Sequence, residues 1–90
     1  MSVTVTVEPT RNEDSVVFIL DKTLLPPGTG SPFSNPQSAK DHPLARALFE
    51  IRGVSSIWIL GNEVTVTKDH GVSWGSIKAK IVETIKQVES

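Results

Sequence analysis

The chain has 90 residues, 38% of them hydrophobic, and nine basic against ten acidic side chains for a net charge of −1. Residues 1–90 read as a single small domain with an economical core, since a chain this short buries only about 60% of its unfolded surface. The absence of cysteine excludes disulfides, thiolate chemistry and cysteine-held zinc or iron–sulfur clusters, while the balanced charge argues against nucleic acid and the lack of an apolar run of about 20 residues against a membrane span.

Val3, Val5 and Val7 alternate with Thr4, Thr6 and Glu8. Period-2 alternation of β-branched residues predicts a half-buried strand. The same alternation replaces the basic start and apolar block of a secretory leader, so a cytoplasmic setting is the expectation. Pro9 closes the strand because it has no N–H for the ladder. Residues 10–14 are a polar turn. The run Val16-Val17-Phe18-Ile19-Leu20 is a second strand, with Val16, Phe18 and Leu20 on one face and Val17 and Ile19 on the other.

Residues 22–41 hold Pro26, Pro27, Pro32 and Pro36 with Gly28, Gly30 and several serines. A connection of this length is expected to be a loop. Either Leu24 or Leu25 extends the sheet edge while Phe33 lids the core, or the stretch is a partner-binding loop.

Pro43 suits a first helical position, where its missing N–H has no intrahelical use. Asp41 or His42 is then the cap. Leu44, Leu48 and Ile51 recur at helical spacing, and Gly53 stops the helix, because glycine enters the left-handed region cheaply. Residues 57–60 form a third strand. Gly61-Asn62 is a two-residue turn with glycine first, as a type II′ hairpin requires. Val64 and Val66 share one face of the fourth strand, Thr65 and Thr67 the other. Ser73 caps a last helix, with Val72 and Ile77 placed as its hydrophobic staple. Trp74, Ile77, Ile81, Ile85 and Val88 make its apolar stripe. The expected fold is α+β, in the order ββαββα, with a four-stranded antiparallel sheet and two helices on one face.

With these elements in place, the chain resembles the N-terminal domain of the Nfu/NifU-like iron–sulfur scaffold proteins. The matching residues are Pro43-Leu44-Ala45, Leu48-Phe49, Ile51 and Gly53-Val54. They continue with Val64-Thr65-Val66-Thr67-Lys68, then Trp74, Ile77-Lys78 and Ile81. Pro9 and Phe18 sit like the opening proline and first apolar strand of that domain. Two features depart from the family pattern. His42 stands where the family usually has serine, and no CxxC motif is present. Complete scaffolds hold their cluster on a second, CxxC-bearing domain, so these residues are not expected to hold one alone. The resemblance implies an accessory or protein-interaction role in iron–sulfur cluster assembly, with an assembly or client protein as partner and iron as a possible ligand.

Candidate sites follow from the residues. If the helices cover one face of the sheet, the other exposes either Trp58 with Leu60 or Ile57 with Ile59. The favoured partner site is Trp58, Leu60, Thr65 and Thr67, with Phe33 alongside, since an aromatic-centred apolar patch on an open sheet suits protein docking. His42 and His70, each beside an aspartate, are candidate ligands for iron(II) or zinc. The chain path puts the two helix starts at opposite ends of the sheet, so the histidines are not expected to converge. The alternatives to a docking module are an iron(II)-binding accessory protein and a small peptide- or ligand-binding domain. No GxSxG elbow, HExxH spacing or phosphate loop is present, and no enzyme is expected.

Overall fold

The computed structural model describes residues 3–26 and 28–89. Its elements are β1 (Val5–Pro9), β2 (Ser15–Leu20), β3 (Gly30–Phe33), α1 (Pro43–Phe49), β4 (Val54–Leu60), β5 (Glu63–Lys68) and α2 (Trp74–Glu89). The strands form one antiparallel sheet in the order β1-β2-β5-β4-β3. The expected order ββαββα is therefore corrected to βββαββα, and the sheet has five strands rather than four.

The added strand, β3, lies inside the proline- and glycine-rich stretch expected to be a loop. Its four residues, Gly-Ser-Pro-Phe, carry no run of β-branched side chains. Their extended state comes from pairing with β4, in the register Ser31↔Ile59 and Phe33↔Ile57. A side chain at position 30 would collide with the Trp58 ring. Glycine there lets the indole lie across the strand, the close approach for which a strand glycine is suited.

Alternation decides which residues enter the core. Val16, Phe18 and Leu20 of β2, Ile57 and Ile59 of β4, and Val64 and Val66 of β5 are buried. They meet Leu44, Ala45 and Leu48 of α1 and Ile77, Ile81 and Ile85 of α2 in one cluster. Trp74 and Val88, at the two ends of the α2 stripe, are half-buried against it.

The caps follow the residues that precede each helix. His42 caps α1, its Nδ1 accepting the Ala45 N–H at 3.2 Å, with Pro43 following. The imidazole thus supplies the side-chain acceptor that a helix start needs at its cap. Ser73 Oγ accepts the Gly75 N–H at 3.2 Å at the start of α2. Gly61 has φ +59° and Asn62 has no positive φ, as a type II′ hairpin between β4 and β5 requires. The Asn62 side chain then donates to the Leu20 carbonyl at 2.8 Å, tying that turn to the end of β2.

Candidate interaction face

Among the described residues, no helix or strand covers the sheet face turned away from the helices. Register places its side chains in rows across the strands. One row runs Glu8, Val17, Thr65, Trp58 and Pro32, and the next runs Thr6, Ile19, Glu63, Leu60 and Gly30. Trp58 is 41% exposed and Leu60 37%, the exposed large hydrophobics among the described residues. Ile57 and Ile59 are buried, so of the two possible sets it is Trp58 and Leu60 that face outward. Thr65, Thr67, Val17 and Ile19 are half-buried on the same face. Thr67 is held by a 2.8 Å hydrogen bond between its hydroxyl and that of Ser15.

Phe33 does not join this group. It pairs with Ile57 and is 7% exposed, on the helix-covered side of the sheet. Its ring packs on His42 with centroids 5.3 Å apart. The expectation that it flanks Trp58 is corrected: β3 is a strand, and alternation sends residue 33 to the face opposite residue 32. Pro32, beside Trp58, takes the place assigned to Phe33. Its role was hidden in the sequence because its partner strand lies more than 20 residues away.

The two histidines have separate duties. His42 is a helix cap packed on Phe33. His70 Nδ1 lies 3.0 Å from Asp14 Oδ2, and Glu13, Asp14 and His70 present ligand atoms within 4.8 Å of one another. The other Asp14 oxygen accepts from Lys68 Nζ at 2.7 Å. Lys68 is 8% exposed; it sits at an inward position of β5 and its ammonium lies 5.9 Å from the centre of the Trp74 ring. Trp74 in turn donates Nε1–H to the Glu13 carbonyl at 2.8 Å. A divalent cation on Asp14 would have to share its carboxylate with the buried Lys68 ammonium. The arrangement ties the turn between β1 and β2 to β5 and α2. The signal for it was present in the sequence: Val64, Val66 and Lys68 share one face, and an inward lysine needs an anionic partner.

Lys68 and then His70 hold the Asp14 carboxyl below its ordinary value of 3.8. A depressed folded-state pKa means that the unfolded chain binds the proton more readily. The stabilisation from Asp14 is therefore complete above about pH 5 and is lost as the pH falls through the lowered folded value. Asp14→Asn is expected to lower the melting temperature at pH 7, and the gap between variant and wild type should narrow as the pH falls below the ordinary carboxylate range. Thermal melts across pH 2–7 (roughly the span over which carboxylates titrate) check this. A constant gap would show that the carboxylate charge is not what matters.

Among the described residues no helix is long and apolar enough to cross a membrane. The family described as scaffold protein Nfu/NifU N terminal matches residues 5–90. A NifU-like protein of Schizosaccharomyces pombe is 36% identical over 81 residues, covering 89% of this chain and 31% of its own length. The mitochondrial NFU1 iron-sulfur cluster scaffold homolog of Drosophila erecta is 32% identical over 78 residues, covering 87% and 28%. This chain thus spans less than a third of those relatives. Among solved structures, a NifU-like protein from Saccharomyces cerevisiae superposes with a TM-score of 0.86 at 25% identity, covering 96% of this chain and 77% of that one. Protein SAV1430 from Staphylococcus aureus shares the fold, with a TM-score of 0.81 at 15% identity over 94% of this chain and 99% of its own. With the fold in agreement and the match running over residues 5–90, the chain belongs to the family of Nfu/NifU scaffold-protein N-terminal domains.

Proposed function

We propose that this chain is a non-catalytic interaction module that docks an iron–sulfur assembly or client protein through the open sheet face centred on Trp58. The observation that carries the reading is the pairing of Trp58 and Leu60, both exposed on an uncovered face and flanked by half-buried Val17, Ile19 and Thr65. Monomeric proteins rarely leave such a group uncovered without use. Tryptophan is also the side chain most often found to dominate a protein interface. The Drosophila erecta relative is named as an iron-sulfur cluster scaffold homolog, and the chain corresponds to a portion of it. Catalysis by Asp14 has little support, because both of its oxygens are engaged by Lys68 and His70. The same engagement supports action without a resident metal. A cytoplasmic setting, expected from the sequence, and a mitochondrial one, named for several relatives, are both compatible with this role.

The test is an anaerobic affinity capture with tagged wild type and Trp58→Ala, followed by titration of the captured protein. Wild type should enrich iron–sulfur assembly or client proteins. Trp58→Ala should weaken binding by about 2 kcal/mol, roughly thirtyfold, with an unchanged circular dichroism spectrum. Equal affinity in the folded variant would overturn the assignment of this face.

A further inference from the structure

The two edges of the sheet, β1 and β3, are chemically unlike. Asp21 donates its N–H to the Thr4 carbonyl at 3.2 Å. With Thr6 opposite Ile19 and Glu8 opposite Val17, the alternation of antiparallel bonding turns Thr4, Thr6 and Glu8 toward β2 and leaves Val5, Val7 and Pro9 facing outward. The bond from Leu20 N–H to the Asn62 carbonyl at 2.9 Å agrees, since it commits Leu20 to β5 and its neighbour Ile19 to β1. Among the described residues no hydrogen bond occupies the outward groups of Val5 and Val7. At the other edge, Gly61 donates to Thr29 at 3.4 Å, which turns Gly30 and Pro32 outward. Pro32 has no N–H, so that edge is blunted in the usual way. The β1 edge keeps donors and acceptors at both Val5 and Val7.

Beside the open edge, between β1 and α2, lies a groove of about 590 Å³. Val7, Trp74, Ala79 and Val82 give it apolar walls. Lys78 and Lys86 stand on its rim against a single acid, Glu83. A strand added to β1 would place the residue opposite Val7 on Val7's own face, pointing toward α2. Residues two positions away share that face and come within reach of the lysines.

We propose that the β1 edge and its α2 groove capture an extended segment of a partner protein by strand addition. An apolar side chain seats in the groove and a carboxylate two residues away meets Lys78 or Lys86. Backbone pairing supplies affinity and the pocket supplies selectivity, as in other β-augmentation sites. The charge on the rim favours this occupant over a second copy, which would bring its own Lys78 and Lys86 to the same seam. The site is on a different edge from the Trp58 face and does not depend on it.

The whole chain would be panned against a displayed library of random segments about ten residues long. Enriched sequences would then be synthesised and titrated while backbone amide resonances are followed. Enrichment of segments that alternate apolar and polar residues and carry an acid is expected, with Val5 and Val7 amides among the largest shifts. Lys78→Glu with Lys86→Glu should weaken binding tenfold or more, Trp58→Ala should leave it unchanged, and N-methylation of the peptide residue opposite Val7 should abolish it. That last control alters the peptide only, so folding of the protein is not in question. No enrichment, or binding insensitive to the lysine pair and to N-methylation, would overturn the proposal. So would a stable dimer that protects the Val5 and Val7 amides, because the edge would then belong to a second copy.

Discussion

Phe18→Ala is expected to destabilise the domain by about 3–5 kcal/mol, the usual range for emptying a buried phenylalanine site. Phe18 has no exposed surface. On β2 it lies between Val7 of β1 and Val64 of β5, and its ring is 6.4 Å from that of Trp74 on α2. Three strands and a helix therefore border the space it fills. The strands are hydrogen-bonded on either side of that position and cannot close over the cavity without breaking register. Domains of this size hold roughly 5–13 kcal/mol of stability, so the loss is a large part of the total. With about 4–8 °C per kcal/mol for such a domain, the melting temperature should fall by more than about 12 °C. Denaturant titration and calorimetry check this, with Phe18→Leu as the control that keeps most of the volume and should lose less. A change under about 1 kcal/mol would mean that the cluster around Phe18 is loosely packed.

Gly53→Ala is expected to cost about 2–4 kcal/mol from two independent sources, a strained backbone and an occupied space. Gly53 has φ +107°, a conformation in which an L side chain clashes with its own backbone. A methyl group there would also lie 2.9 Å from Val72 Cγ1 and 3.1 Å from Cγ2. Val72 directly precedes the Ser73 cap of α2, and the Gly53 carbonyl accepts the Asp69 N–H at 2.7 Å. A shift at Gly53 therefore reaches the end of α1, the start of β4 and the start of α2 together. A double-mutant cycle with Val72→Ala separates the two sources. Relief of the crowding should recover part of the loss and leave the backbone part. Full recovery would show that the φ requirement is weak, and no recovery that Val72 moves aside freely.

The reach of the sequence differed from element to element. Val16, Phe18 and Leu20 could be assigned to one face, and Trp58 and Leu60 to another, because alternation is a property of a single extended chain. The α1 cap, narrowed to Asp41 or His42, the Ser73 cap and the Gly61 turn were legible for a similar reason: each is decided within about four residues. The strand at residues 30–33 was not legible, since Gly-Ser-Pro-Phe has weak strand propensity of its own. Phe33 was consequently read in two ways, as a lid on the core and as a neighbour of Trp58, and the core position is the one it takes. The Asp14–Lys68 pair was not read from the sequence: alternation puts Lys68 on the face of Val64 and Val66, but no local pattern names a partner 54 residues away.

By itself the sequence determined the local periodicities, the caps and turns, and which side chains of each strand must point the same way, because these depend on backbone geometry over a few residues. The tertiary structure alone decided which face the helices cover, and hence that Trp58 is exposed while Ile57 is not. It also decided that β4 gains a fifth-strand neighbour, that Lys68 closes on Asp14, and that β1 is left with unpaired backbone groups. Each of these rests on contacts between residues distant in the chain, where the energy of pairing and burial outweighs the preference of any short segment.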